Sequence, residues 1–340
     1  MQGDLSSAFN SMGGAFLVAV DTFARRTDYS GTSETALDNE LLQIFVDLEG
    51  QSQLPLFYDL RNTQCRLPSI LSLIPRIPLP VIPRQFTTIS IAKSYFSLII
   101  ALINRLHSQS PHDLESNRTT ADECESLLDE WEAAFSSLFQ EAQNNAATIG
   151  ANQAIMETYV PHYILASNYA MLKIISASSA GSCSETFYDT LTSYFQHIID
   201  HSKIIVNAVS SQSLPKFAFE AGVIPPLHVT GTKCRDPKLR REAIQLLRKC
   251  TAQEGVWDGQ GCAEVCEWVM TIEEAGGFDG LPSTKSTRRQ NSSVTIPEWD
   301  RVKLSSVIAS LHEKRGWAQC ISVVPVLKGK HRVWETTSSW

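Results

Sequence analysis

The stretch from Lys233 to Glu274 constrains the fold of this chain more than any other part, because it predicts two capped amphipathic helices joined by a short turn. Asp236 is a favourable N-cap, and Pro237 stands at the first helical position, where a missing N–H costs nothing. Apolar residues then recur with the period of one helical face, at Leu239, Ala243, Leu246, Leu247 and Cys250. Arginine and lysine occupy the other faces, so the first helix is predicted to be amphipathic and basic.

The second helix of this pair is predicted to follow Asp258, another N-cap. Its apolar positions are interleaved with Glu264, Glu267, Glu273 and Glu274, and the glycines at 276 and 277 are expected to end it. A basic helix followed by an acidic one across the turn Glu254–Asp258 predicts an antiparallel helical hairpin, with Trp257 buried at its base. Of Arg240 and Arg241, one is expected to pack on or pair with the acidic helix and the other to be solvated.

Composition limits the classes of function. With 29 Lys and Arg against 36 Asp and Glu, the net charge is −7, which disfavours a chain whose whole surface binds nucleic acid but leaves a local basic patch open. The eight scattered cysteines are interpreted as reduced core residues of a soluble intracellular protein. The N-terminus lacks the pattern of a secretory signal, and the longest apolar run, Tyr95–Ile103, is about half of a membrane span. No membrane association is therefore predicted.

The rest of the chain is predicted to be mostly helical, which gives an all-α fold of stacked helices and helical hairpins. Helices are predicted at Leu37–Leu48, Thr88–His107, Ala121–Ala142, Ala151–Ser176, Thr186–Val209 and Pro297–Glu313, with a short one after a Pro-Pro stop at 225 and 226. The five prolines of Pro68–Pro83 predict an extended excursion, and the polar run Ser108–Thr120 predicts a loop. The β-prone runs Ile321–Leu327 and His331–Thr336 predict a small C-terminal β-hairpin.

This pattern predicts one helical domain with short additions at both ends. The predicted parts are 1–36, a partly helical N-terminal segment; 37–283, the α-helical domain; 284–295, a flexible linker rich in Ser, Thr and Arg; and 296–340, a C-terminal helix with the β-hairpin. No internal repeat has a clean period, although stacked helical pairs are compatible with the pattern.

The spacing of His197, Asp200 and His201 is the strongest enzyme-like feature of the sequence. Two histidines at i and i+4 on a helix can bind one zinc ion, but Ile198 stands where the metalloprotease pattern has glutamate, and no third ligand is evident. A half-exposed helix face is the preferred interpretation. Because no Gly-x-Ser-x-Gly elbow or phosphate-binding glycine loop is found either, we predict no catalytic residue, no metal and no cofactor. An enzyme that uses these three residues on a helical scaffold is the less favoured alternative.

The predicted hairpin resembles the C-terminal signature of the fungal-specific transcription factor family, whose members usually carry an N-terminal zinc binuclear cluster. The residues that match this signature are Cys234, Arg235, Asp236, Pro237, Arg240, Arg241, Glu254, Gly255, Trp257 and Asp258. Weaker matches are LLQIFVDLEGQSQLPLF from Leu41, PRQFTTISIAKSYF from Pro83, FAFEAGVIPPL from Phe217 and IPEWDRV from Ile296. The resemblance therefore covers most of the chain, from about Leu37 to about Cys320.

The resemblance implies an all-α regulatory domain in a fungal nucleus, with a role in transcription of metabolic or secondary-metabolite genes. The matched residues are expected to serve structure or interaction. The implied partners are proteins, either a second copy or related regulators, and a small-molecule effector is a further option. An interaction module that antagonises full-length relatives remains an alternative.

The sequence departs from the family at its DNA-binding module. That module needs six cysteines in two closely spaced triplets, and no Cys-x-x-Cys stands anywhere in this chain. The chain is therefore expected to begin inside the regulatory region and to reach DNA only indirectly. Loss of the module and a truncated product both remain open.

Overall fold

The computed structural model describes residues 80–108, 114–149, 153–179, 184–209, 217–218, 222–251, 253–255, 257–276, 296–310, 313–325 and 331–340. The chain divides into two compact units, Met1–Ala134 and Phe135–Trp340. Most described residues are helical, and a small antiparallel sheet lies near the C-terminal end. The predicted helix Leu37–Leu48, the segment 1–36, the linker 284–295 and most of the proline-rich run fall outside the described residues.

In the described part of the first unit, two helices pack around a buried tryptophan. Helix α1 (Ile89–Ser108) confirms the prediction for Thr88–His107, and helix α2 (Leu114–Ile149) contains the predicted helix Ala121–Ala142. The indole nitrogen of Trp131, a fully buried residue of α2, donates a hydrogen bond to the carbonyl of Ala92 at 2.8 Å. The predicted loop is wrong from Leu114 onward, because the residues after Pro111 include no further proline and no glycine and can form the first turns of α2.

In the second unit, two long helices pack side by side. Helix α3 (Gln153–Ser179) confirms the helix predicted at Ala151–Ser176. The region predicted as a helix at Thr186–Val209 begins instead with a 3-10 helix, Glu185–Leu191, and continues as α4 (Thr192–Val209). Among the described residues, no helix combines the length and apolar character that a membrane span requires.

The predicted helical hairpin is confirmed as α6 (Pro237–Lys249) followed by α7 (Gly259–Glu274). Short strands β2 (Gln253–Glu254) and β3 (Trp257–Asp258) connect the two helices, and β1 (Phe217–Ala218) pairs in parallel with β2. The ion pairs Arg241–Glu274 and Arg248–Glu267 show that the helices run antiparallel.

A short helix precedes this hairpin, as predicted. In α5 (Ile224–Lys233), however, Pro225 and Pro226 form the first turn, whereas they were expected to stand before the helix as a stop. Proline is tolerated there because the first amides of a helix have no partner within the helix.

The C-terminal sheet has three antiparallel strands, β4 (Val302–Ser310), β5 (Arg315–Ser322) and β6 (Val333–Ser339), in the order β4-β5-β6. The helix predicted at Pro297–Glu313 is therefore wrong: a short 3-10 helix, Glu298–Asp300, leads directly into β4. The predicted β-hairpin is confirmed in part, since β5 and β6 pair but β5 begins earlier than expected and β4 adds a third strand.

The packing of β4 explains why it is a strand. Its apolar residues Val302, Leu304 and Val307 pack with Val265 and Val269 of α7 in one apolar cluster. An irregularity in the register between Leu304 and Ser306 keeps Val307 in this cluster, although strict alternation would turn it to the other face. Pairing with β5 and cover by α7 thus decide the conformation of a segment whose sequence also fits a helix.

Candidate functional site

The residues of the hairpin motif begin with two helix caps. One carboxylate oxygen of Asp236 accepts hydrogen bonds from the amides of Lys238 and Leu239, both at 2.9 Å, and Pro237 occupies the first turn. Asp258 accepts a hydrogen bond from the amide of Gly261 at 2.9 Å. Both predicted N-caps are confirmed, so these two motif positions fix where α6 and α7 begin.

Glu254 caps a third helix from a distance. Its carboxylate accepts hydrogen bonds from the amides of Gly222, Val223 and Ile224 at 2.9, 3.1 and 2.9 Å, which are the amides at the start of α5. Burial raises the pKa of this carboxyl, and the three amide hydrogen bonds oppose that rise. A negative charge is favourable at a helix N-terminus, so the motif glutamate serves as an internal cap.

Glycine suits two positions around this cap. A Cβ atom on Gly222 would lie 2.5 Å from a carboxylate oxygen of Glu254, so any other residue there would displace the capping carboxylate. Gly255, in the turn between β2 and β3, has a φ of 56°, which glycine adopts without strain. The motif pair Glu254 and Gly255 thus joins a tight turn to the α5 N-terminus.

Trp257 fills the base of the hairpin, as predicted. Its side chain is 2% exposed, and its ring centroid lies 5.6 Å from that of the buried His228. His228 Nδ1 in turn lies 3.5 Å from Cys266 Sγ. Burial lowers the pKa of His228 to about 4 and raises the pKa of Cys266 to about 12. The pair is therefore neutral and buried, and lacks the thiolate that a nucleophilic cysteine needs.

The described cysteines share this character. Cys124, Cys234, Cys266 and Cys320 are buried, Cys250 and Cys262 are half-buried, and all six are free thiols. Burial raises the pKa of every one of them. The prediction that the cysteines are core residues is confirmed for the four buried ones, while Cys65 and Cys183 lie outside the described residues.

Five charged side chains form a buried network where α5, α6, α7 and the 3-10 helix Glu185–Leu191 meet. Glu185 pairs with Lys233 at 2.8 Å and with Arg235 at 3.0 Å. Glu273 pairs with Arg235 at 2.6 Å and with Arg240 at 2.7 Å. All but Lys233 are nearly inaccessible to solvent, with side-chain exposures of 3% or less. This set of residues is called the buried ionic network below.

The pKa values of the two glutamates in the network follow from their burial and from their pairing with cations. Burial alone would raise the pKa of Glu273, but Arg235 and Arg240 outweigh it and lower this pKa to about 2. The pKa of Glu185 is lowered because Lys233 and Arg235 likewise overcome the effect of burial. Both carboxylates are thus ionised at neutral pH and compensate the neighbouring cations.

The network continues into the C-terminal sheet. Glu273 accepts a hydrogen bond from the amide of Val302, the first residue of β4, at 3.0 Å. The fully buried Arg301 donates to the carbonyl of Glu185 at 2.6 Å and pairs with both carboxylate oxygens of Asp189 at 3.0 and 2.6 Å. One glutamate and one arginine therefore connect the hairpin, the 3-10 helix and the sheet.

The residue Glu298 completes this connection. Its two carboxylate oxygens accept hydrogen bonds from the amides of Glu185 and Thr186, each at 2.8 Å, at the start of the 3-10 helix. Glu298 and Arg301 belong to the segment IPEWDRV, which the sequence resemblance had marked only weakly. This segment holds the 3-10 helix through both its amides and its carbonyl groups.

Sequence reasoning identified only part of this arrangement. It expected one arginine of the pair to contact the acidic helix, whereas both do: Arg240 binds the buried Glu273 and Arg241 binds the half-exposed Glu274 at 2.6 Å. The missed residues are Glu185, Asp189, Lys233, Glu273, Glu298 and Arg301. The spacing Cys266–Val269–Glu273 could have revealed one of them, because it places Glu273 on the apolar face of α7.

Among the described residues, the structure places no third ligand beside the two histidines of α4. The ring centroids of His197 and His201 are 6.1 Å apart, and the ring of His201 packs edge-on against Phe139 at 5.4 Å. Burial is the main cause that lowers the pKa of His201 to about 4. The carboxylate oxygen Oδ1 of Asp200 lies 3.6 Å from Nζ of Lys203. Within the described ranges, no group of three His, Cys, Asp or Glu residues is placed to hold a metal ion.

Comparisons with protein-family models, with curated proteins and with solved structures found no match for this chain.

Proposed function

We propose that this chain is a transcription regulator of the fungal-specific transcription factor type, and that it acts through protein partners. The observation that carries the proposal is the structural use of the signature residues. Asp236 and Asp258 cap helices, Gly255 occupies a turn position with positive φ, and Arg235 and Arg240 are buried in ion pairs, so each has a structural role that suits its residue type. Because the residues that carry the resemblance also build the scaffold, their placement supports the family resemblance.

The placement of the signature residues also indicates which part of the molecule would carry the function. Most signature side chains are buried or engaged in caps, so they hold the helices together and are not offered to a ligand. A scaffold of this kind acts through its surface, and helical regulatory domains offer helix faces and strand edges to other proteins. Metabolic or secondary-metabolite genes are the targets that the resemblance implies, and DNA is reached through the partner.

A tethered reporter assay tests the proposal. The full chain is fused to an unrelated sequence-specific DNA-binding domain in yeast, and transcription of a reporter with the matching site is compared with that given by the DNA-binding domain alone. The expected result is a change in reporter transcript. The Glu274→Ala variant should keep this effect because it removes only a half-exposed ion pair, whereas Glu273→Ala should lose it because the buried ionic network is broken.

Unchanged transcription by a fusion that accumulates in the nucleus in folded form would contradict the proposal. An effect that persists equally in Glu273→Ala would contradict the link between the scaffold and the function.

A further inference from the structure

Strand β6 (Val333–Ser339) forms one edge of the C-terminal sheet and, among the described strands, pairs with β5 alone. The amide of Ser322 donates to the carbonyl of Arg332 at 2.8 Å, and the amide of Trp340 donates to the carbonyl of Lys314 at 2.9 Å. Bonded and non-bonded pairs alternate in an antiparallel ladder. The even-numbered residues of β6 therefore bond to β5, and the backbone groups of Val333, Glu335, Thr337 and Ser339 point away from the sheet.

This edge is open in the part of the chain that the structure describes. The outward amides and carbonyls of the four odd-numbered residues have no hydrogen-bond partner there. The strand has few of the features that protect an edge: it contains no proline and no lysine, its pairing with β5 has no bulge, and Glu335 is its one charged residue. An open edge of this length can accept a further strand through main-chain hydrogen bonds.

The side chains on the outer face of the edge define what would fit. Val333, the first residue of β6, is 51% exposed. Glu335 is the single charged residue of β6, and Gln319 donates to one of its carboxylate oxygens at 2.8 Å. The edge thus offers an apolar end followed by a negative charge and then by threonine and serine.

We propose that the free edge of β6 is a docking site for an extended segment of a partner protein, which binds as a fourth, antiparallel strand. An aliphatic residue of the partner segment lies beside Val333, and a lysine or arginine of the same segment lies beside Glu335. Alternate side chains of the added strand lie over the outer face of the sheet, so residues two apart in the partner supply these contacts.

Charge favours this occupant over a second copy of the chain. Two β6 strands that pair over their full length about a twofold axis place Glu335 of one copy diagonal to the same residue of the other, within reach of two long side chains of like charge that repel each other. The net charge of −7 adds to the repulsion between copies. A basic partner segment is instead attracted both by Glu335 and by the net negative charge of the chain.

The test uses the full chain, labelled with ¹⁵N, and a capped synthetic peptide of sequence Thr-Ser-Thr-Thr-Lys-Thr-Val. Paired antiparallel, this peptide places its lysine beside Glu335 and its valine beside Val333. The matched control peptide has glutamate in place of lysine. Amide hydrogen exchange should slow at Val333, Glu335, Thr337 and Ser339 with the lysine peptide only, while Thr336, which already bonds to β5, should be unaffected.

Two variants sharpen the test. Glu335→Lys should reverse the preference, so that the glutamate peptide binds and the lysine peptide does not. Thr337→Pro should abolish binding of both peptides, because proline removes an outward amide and leaves the ladder to β5 intact. Unchanged spectra of the described residues away from β6 show that each variant is folded.

Three results would overturn the proposal: no protection at the highest soluble concentration of the lysine peptide, equal protection by both peptides, or retained binding in Thr337→Pro. Protection of the same four amides without peptide, rising with protein concentration, would instead assign the edge to a second copy. The outcome is independent of the proposed role in transcription, because peptide binding is measured on the purified chain.

Discussion

At the scale of single residues, Glu273 compensates the positive charge of two buried arginines in the unit Phe135–Trp340. Its carboxylate binds Arg235, Arg240 and the amide of Val302. The adjacent Glu274 binds Arg241 at the surface. Two neighbouring glutamates of one helix therefore have different physical roles, and the difference comes from the exposure of their partners.

The pH dependence of stability follows from the lowered pKa of Glu273. The pKa falls from an ordinary value of 4.5 to about 2 on folding, so the contribution of the ionised carboxylate is complete above pH 4.5 and is lost as the pH falls toward 2. The Glu273→Gln variant lacks this contribution at every pH. The difference in unfolding free energy between the parent and the variant, measured with urea, should be largest at neutral pH and shrink below pH 4.5. A difference independent of pH would contradict the assignment.

The difference in burial between two tryptophans predicts that their substitutions affect stability differently. Trp257→Ala should lower the free energy of unfolding by about 3–5 kcal/mol, because a large buried ring is lost from the base of the hairpin. Trp299, which is 62% exposed, serves as the matched control, and Trp299→Ala should change stability by no more than about 0.5 kcal/mol. Thermal and denaturant unfolding of both variants measures the contrast. Equal stability of Trp257→Ala and the parent would disprove the buried role.

At the scale of elements, the sequence predicted what is encoded locally. The ends of α6 and α7 were predictable because Asp236, Pro237 and Asp258 act within one turn of their own helix. Strand β4 was not, because its sequence fits a helix as well as a strand, and the choice depends on pairing with β5 and on cover by α7.

The distance between partners along the chain also explains which contacts of the candidate site were predicted from the sequence and which were missed. Arg240 was expected to contact α7 because the two helices are neighbours in sequence. Glu185 and Arg301 were missed because their partners stand more than forty residues away along the chain, and no local pattern indicates such a pairing.

The caps of α5 and α6 give a prediction at this scale. Glu254→Ala leaves the buried amides at the start of α5 without their acceptor and should cost about 1–3 kcal/mol. Asp236→Ala removes an exposed cap of α6 and should cost about 1 kcal/mol. Urea unfolding of both variants should place Glu254→Ala as the less stable. The reverse order would show that Glu254 does not hold the α5 N-terminus.

At the scale of the whole molecule, the buried ionic network makes one cooperative structure of parts that are far apart in the sequence. The hairpin, the 3-10 helix Glu185–Leu191 and strand β4 all contact Glu273 or its direct partners. Arg301 and Glu298 add a second set of bonds between the 3-10 helix and the segment before the sheet. Loss of one central carboxylate should therefore weaken all three parts together.

Native-state hydrogen exchange of the Glu273→Ala and Glu274→Ala variants tests this account most directly. Glu273→Ala leaves two buried arginines without their shared carboxylate and should lose about 3–5 kcal/mol of stability. Amide protection should then fall together in α6, α7, the 3-10 helix and β4, while Glu274→Ala keeps the protection of the parent. A loss confined to the last turn of α7, or the same loss in both variants, would contradict the role of the network in joining these elements.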